Sequence, residues 1–165
     1  MNPSAAGDSF SANDWTNGTD SYFSFGFTVD AGFSVDLDQF FMGTRSSNTG
    51  PGELGLFYSG DSFASPIFSF SQSGTSFTNS AVDLSSLTGL TGAVEFRIAP
   101  TSDVSANGKT IAGTGTFRIG DYFDGSLSEV RFTGEVNDTV VIPLPGAAGL
   151  GLAGLGLVAL RRRRA

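Results

Sequence analysis

The sequence contains no cysteine and no histidine among its 165 residues. Without cysteine there is no disulfide framework, thiolate nucleophile or iron–sulfur ligand, and without histidine there is no imidazole base or imidazole–metal site. Most of the residue types used by common catalytic centres are therefore missing. Basic residues are also scarce, since nine Lys and Arg stand against sixteen Asp and Glu. The formal net charge of −7 argues against nucleic-acid binding, which requires basic groups to neutralise phosphates.

The few basic residues are unevenly distributed. Four are consecutive near the end of the chain, as Arg161, Arg162, Arg163 and Arg164. They follow 19 residues, 142–160, that carry no charged or polar side chain. The preceding part of the chain holds five Lys or Arg and all sixteen Asp or Glu, a net charge of −11. As a helix, the apolar residues would span about 28 Å, just short of the roughly 30 Å hydrocarbon core of a bilayer.

This apolar stretch is predicted to be one short C-terminal transmembrane helix. Its glycines make it a poor helix in water, but in a bilayer the cost of unpaired backbone groups enforces helix formation. The predicted span includes Gly146, Leu150, Leu152, Leu155, Leu157 and Leu160. Arginine beside a membrane span stays on the cytoplasmic side, so the acidic body is expected outside. The alternatives are a buried helix of a soluble domain or a glycine-rich end without structure, and neither accounts for an arginine cluster directly after a charge-free stretch.

A proline motif, Pro143, Leu144 and Pro145, precedes the span. The order of proline motif, hydrophobic segment and arginine cluster resembles the C-terminal sorting signal of the PEP-CTERM/VPLPA-CTERM class, carried by exported proteins of Gram-negative bacteria that make extracellular polysaccharide. The motif differs from Pro-Glu-Pro at Leu144, and from Val-Pro-Leu-Pro-Ala at Ile142 and Gly146. The resemblance implies recognition by an exosortase, with the protein anchored in the inner membrane before processing and then at the cell surface or extracellular.

Residues 1–8 do not have the features of a signal peptide, because they lack a basic region and an apolar segment of roughly 7–15 residues. An exported protein needs such a signal. We therefore expect that translation begins upstream of Met1 and that Ala5, Ala6 and Gly7 lie near the cleavage site. The predicted organisation is an N-terminal segment 1–20, an ectodomain 21–136, a tether 137–142 and the sorting signal 143–165.

The ectodomain alternates between apolar and polar side chains with a period of two, which predicts strands with one buried face. The alternation places Phe23, Phe25 and Phe27 on one face, and Val35 and Leu37 inward. The sixteen phenylalanines provide ample core material. No amphipathic helix is evident, and roughly seven or eight strands separated by Gly, Asn and Asp turns favour an all-β fold, a jelly-roll-like or immunoglobulin-like antiparallel β-sandwich.

The order of several short motifs, Leu56–Phe63, Val94–Ile98 and Gly115–Ile119, resembles the jelly-roll ectodomains often joined to such tails. Those domains look like lectin or carbohydrate-binding modules, so the resemblance implies contact with exopolysaccharide, but it identifies no binding residues. Aromatic rings with a polar tip can present a face to a sugar. The candidates for such stacking are Trp15, Tyr22, Tyr58 and Tyr122, and the alternative for each is a position in the core or at its rim.

Three groups of oxygen-bearing side chains are candidate metal-binding or catalytic sites. Asp121 and Asp124 stand in a turn with two glycines and are a candidate calcium site, since Ca²⁺ takes 6–8 oxygen ligands. Asp14, Asn17 and Asp20 form a second oxygen-rich loop and a second candidate calcium site, with solvated turn carboxylates as the alternative for both. Asp36 and Asp38 share the outward face of one strand, where a glycosidase would need two carboxylates about 5–9 Å apart. Outward aspartates more commonly form a soluble surface.

The sequence thus favours a non-enzymatic, exported surface or matrix protein whose ectodomain binds exopolysaccharide, with membrane and exosortase as partners and no cofactor other than the candidate calcium ion. Two other interpretations stay open. One is a purely structural matrix protein without a specific ligand, and the other is a secreted glycan-active enzyme.

Replacement of the four arginines 161–164 by neutral residues is expected to block sorting, because the positive cluster that orients the span is lost. Surface labelling of the native host's cells, compared with the unaltered chain, measures the outcome. Unchanged delivery of the neutral variant would contradict the prediction.

Overall fold

The structure, a computed structural model, describes residues 2–4, 9–17, 20–74, 76–123 and 127–139. Within these residues there are twelve β-strands, one 3-10 turn (Ser59–Asp61) and no α-helix. The strands are β1 (Asn2–Ser4), β2 (Ser9–Ala12), β3 (Phe23–Val29), β4 (Phe33–Ser46), β5 (Glu53–Tyr58), β6 (Pro66–Ser71), β7 (Thr78–Asp83), β8 (Gly92–Pro100), β9 (Phe117–Gly120), β10 (Tyr122–Phe123), β11 (Leu127–Ser128) and β12 (Arg131–Asp138). The predicted all-β class is confirmed for the described part of the chain.

The strands form two main sheets in which every pairing is antiparallel. In the first sheet β1 pairs with β2, β2 pairs with β9, and β4 pairs with β9, β12 and β7. The second sheet has the order β3-β8-β5-β6. A separate two-stranded hairpin is formed by β10 and β11. This confirms the prediction of antiparallel sheets.

Aromatic rings from the two sheets meet in the core. Phe25 of the second sheet stacks on Phe40 of the first, with 5.0 Å between ring centroids. Phe132 of the first sheet lies 4.6 Å from the ring of Phe40 and 5.0 Å from that of Phe96 in the second sheet. Phe40 and Phe96 are completely buried. The sheets therefore pack face to face as a sandwich, with the predicted inward face of β3 directed into it.

The long strand β4 organises the first sheet. β7 pairs with one of its edges, while β9 and β12 follow one another along the other edge. Residues 33–41 of β4 pair with β12 and residues 43–46 with β9, so β9 and β12 act as one strand interrupted by an excursion at 121–130. A bulge leaves Asp38 without a partner in β12.

Residues 121–123, at the start of the excursion, lie against the outer face of the first sheet. Asn79 of β7 donates its Nδ2 to the carbonyl oxygen of Phe123 at 2.5 Å and accepts the amide of Phe123 at 3.2 Å. A Cβ atom on Gly43, in β4, would lie 2.1 Å from the carbonyl oxygen of Asp121. A glycine is therefore required at this crossing.

The sandwich begins earlier than the sequence predicts. β2 pairs with β9, and Trp15 is only 4% exposed in the core. The predicted boundary at residue 21 relied on a two-residue period, which four strand residues are too few to reveal without the partner strand. At the other end β12 runs to Asp138, so the first two residues of the predicted tether belong to the sheet.

The predicted sorting motif, transmembrane span and arginine cluster (143–165) lie outside the described residues. In the part of the chain that the structure describes, no helix has the length and apolar character needed to cross a membrane.

The Phe40→Ala substitution is expected to lower the free energy of unfolding by about 3–5 kcal/mol, since it removes a buried ring and leaves a cavity between the sheets. Val136→Ala is the control, because Val136 is 68% exposed and its truncation should change stability by no more than about 0.5 kcal/mol. Urea unfolding of the purified variants gives both values. Equal stability of the two variants would contradict this account of the core.

Candidate functional site

A groove lies on the outer face of the second sheet. Its volume is about 360 Å³, within the range typical of small-molecule sites. It is formed by the ends of β5 and β8, the residue before β3 and the loop that follows the 3-10 turn. Its lining includes Asn17, Tyr22, Phe57, Phe63, Arg97 and Thr101.

The close packing of three residues that line the groove depends on a glycine in β5. A Cβ atom on Gly55 of β5 would lie 2.7 Å from the Cβ of Pro66, 3.0 Å from the ring of Phe57 and 3.1 Å from the methyl group of Thr101. All three neighbours line the groove. The missing side chain at Gly55 therefore allows them to approach one another.

The wall that carries Phe63 is a tight turn. Ser62 and Phe63 both have left-handed backbone conformations, with φ of 61° and 60°, which cost energy for residues other than glycine. Their amides donate to the carbonyl oxygens of Ser59 and Tyr58, each at 3.0 Å. The carboxylate of Asp61 accepts the amides of Ala64 and Ser65, at 3.2 and 3.3 Å. These four hydrogen bonds hold the strained turn, and with it the ring of Phe63.

The guanidinium group of Arg97 lies between two aromatic rings. Its central carbon is 3.8 Å from the ring centroid of Phe63 and 4.3 Å from that of Tyr22. Cation–π attraction on both sides fixes the plane of the group. Nε donates to Oε1 of Glu95 at 2.8 Å, which leaves the Nη groups as further donors. The Arg97 side chain is 25% exposed, so these donors are accessible from solvent.

The groove therefore combines aromatic surface with a rigid planar donor, an amide and a hydroxyl. Tyr22 is 40% exposed and ends in a phenol, while Asn17 and Thr101 are also exposed. Rings that accept the apolar face of a sugar, together with donors for its hydroxyl groups, suit a carbohydrate. Arg97 is the one charged side chain among the lining residues.

Of the four aromatic residues predicted as stacking candidates, the structure brings only Tyr22 into this groove. Trp15 is buried, donates its indole N–H to Ala12 at 2.8 Å and packs against Phe23, so its faces are not available for a sugar. Tyr58 stacks on Phe96 at 5.3 Å, and Tyr122 packs against the outer face of the first sheet. These three residues therefore take the alternative positions, in the core or at its rim.

Phe63 and Arg97 were not identified as site residues from the sequence. The signal that was present is an outward-facing arginine on a strand, with an acidic residue two positions earlier on the same face. This sequence pattern does not reveal that the arginine contacts the ring of Phe63, 34 residues earlier in the chain. That contact depends on the left-handed turn at Ser62.

The structure does not test the predicted calcium site, because Asp124 lies outside the described residues. Asp121 lies between β9 and β10 and is half-buried. Across the described residues, no three Asp or Glu side chains are grouped closely enough to hold a metal ion.

Asp36 and Asp38 do face outward from β4, but they are not equivalent. The carboxylate of Asp36 accepts the amide of Gly89 at 2.6 Å and the side-chain amide of Asn137 at 3.0 Å. Asp36 thereby joins a loop and β12 to β4. Asp38 lies at the bulge and is exposed. The geometry assigns Asp36 a structural role.

A second cavity of about 260 Å³ opens between the sheets beside β3. Its lining is almost entirely apolar and includes Phe10, Ile119 and Val130. It offers few groups that would orient a polar ligand, so the groove around Arg97 is the stronger candidate.

Comparison with known proteins adds no family assignment, because no family model, no curated protein and no solved structure matches the chain.

The side-chain protons of Arg97 are expected to resonate upfield of their usual positions, because they lie over the faces of two aromatic rings. Phe63→Leu should move the Nε–H and Hδ signals back towards ordinary values. Phe33→Leu is the control, since Phe33 is an exposed ring on β4. Ordinary Arg97 shifts in the unaltered protein would contradict the stacked geometry.

Proposed function

We propose that the chain is a non-enzymatic, exported surface or matrix protein whose β-sandwich binds exopolysaccharide in the groove formed by Tyr22, Phe63 and Arg97. The observation that carries this proposal is the guanidinium group held between two rings beside exposed polar side chains. A rigid donor costs little conformational entropy on binding, and a neighbouring ring adds apolar contact.

The charge of the chain supports a glycan over a nucleic acid. Both ligands use aromatic stacking, but a nucleic acid also needs a basic groove along its backbone. The groove has one cation, Arg97, and Glu95 is paired with it at 2.8 Å. The rest of the sequence before the tail is strongly acidic.

The route to the cell surface is proposed from the sequence. The proline motif, hydrophobic span and arginine cluster at 143–165 are similar to a PEP-CTERM-type signal, and an exosortase is the implied partner. The sandwich is proposed to be of the jelly-roll type, in keeping with the ectodomains that accompany such tails. Inner-membrane anchoring before processing follows from the predicted span.

Tyr22→Ala and Phe63→Ala are each expected to weaken binding to a bacterial exopolysaccharide about tenfold, which corresponds to roughly 1.4 kcal/mol. Affinity electrophoresis with the host's polysaccharide in the gel measures the change. Phe33→Ala removes an equally exposed ring from the other sheet and should leave binding unchanged.

Absence of binding by the unaltered, folded protein would contradict the proposal and would favour a structural matrix protein without a specific ligand. Equal weakening by all three alanine variants would place the ligand elsewhere on the surface.

A further inference from the structure

We propose that the groove selects uncharged polysaccharides over acidic ones and that Glu95 is the residue that sets this selectivity. The inference rests on the proposed function, since it names the class of glycan that the same groove takes.

Three neighbouring side chains hold Arg97 in one orientation. Tyr22 and Phe63 cover the two faces of the guanidinium group, and Glu95 occupies its Nε edge. The Nη groups are therefore the donors that remain for a ligand. Two parallel N–H donors in one plane match either the two oxygens of a carboxylate or two neighbouring hydroxyls of a sugar. Geometry alone admits both classes.

Charge separates the two classes. Glu95 lies on the same face of β8 as Arg97, and its carboxylate oxygen is 2.8 Å from Nε. The opposite charges of the two side chains nearly cancel, so the pair presents almost no net charge to a ligand. An incoming carboxylate that bound the Nη groups would also be repelled by the carboxylate of Glu95, and this repulsion offsets the attraction of Arg97. A neutral diol makes the same hydrogen bonds without that repulsion.

Two further carboxylates belong to residues next to the groove lining in the chain. Asp61 accepts the amides of Ala64 and Ser65, and Ala64 lines the groove. Asp20 is two residues before Tyr22. No second cation lies among the lining residues to balance them. An anionic polymer would also approach a chain whose net charge before the tail is −11. Local and overall charge therefore act in the same direction, against acidic polysaccharides.

The test uses pairs of polysaccharides that differ in oxidation of C6: a glucan and a polyglucuronate, a galactan and a polygalacturonate, a mannan and a polymannuronate. Titration calorimetry with the full chain in detergent compares the members of each pair. For at least one pair we expect the neutral member to bind about tenfold or more tightly than the acidic member. Binding of the neutral member should vary less than twofold between low and high salt, since no ion pair forms.

Glu95→Gln removes one negative charge and keeps an oxygen that can accept from Nε of Arg97. This variant should bind the acidic member of the responsive pair about tenfold more tightly than the unaltered protein does. Its affinity for the acidic member should be higher at low salt than at high salt. Its affinity for the neutral member should stay within twofold. Glu135→Gln makes the same change of charge on β12, away from the groove, and should alter neither affinity.

The outcomes separate the two proposals. If none of the six polymers binds, the selectivity proposal fails, and the proposed polysaccharide function fails as well when the host's polysaccharide does not bind. If an acidic member binds as tightly as its neutral partner or more tightly, or if Glu95→Gln leaves acidic binding unchanged, the selectivity proposal fails while the binding function stands. If Glu135→Gln acts as strongly as Glu95→Gln, the overall charge and not Glu95 sets the preference, and the assignment to Glu95 is overturned.

Discussion

The stack of phenylalanine rings between the sheets is the interaction on which the rest of the structure depends. The chain has no cysteine, so no disulfide supports the sandwich. Successive residues of a strand point to opposite faces, and burial of Phe96 and Ile98 on β8 therefore places Arg97 on the outer face. The candidate site is in this sense a consequence of the core beneath it.

The sequence predicts correctly the features that depend only on the alternation of inward and outward side chains along a strand. The inward rings of β3 and the outward carboxylates of β4 follow from alternation and agree with the structure. Features that depend on distant partners were not accessible. Trp15 is in the core because the strand before it, β2, pairs with β9. That β9 and β12 lie one after the other along the same edge of β4 is seen only from their pairing with β4.

The site was predictable only in part, for a reason that lies in the backbone. Tyr22 was identified because of its chemistry, but the ring opposite it depends on two consecutive left-handed residues, neither of them glycine. Such conformations cost about 1–2 kcal/mol each and persist where surrounding contacts determine them. Here hydrogen bonds to Asp61, Ser59 and Tyr58 supply those contacts. The groove is consequently formed before any ligand arrives.

The excursion at 121–130 has a consequence for protein engineering. Its two ends are registered against β4 independently, so the number of residues between them does not determine how the sheet is assembled. Long insertions between anchored ends are thermodynamically tolerated, since closure entropy grows slowly with length. This position is therefore suited to grafting an epitope or affinity peptide, which would be displayed on the sheet that faces away from the groove.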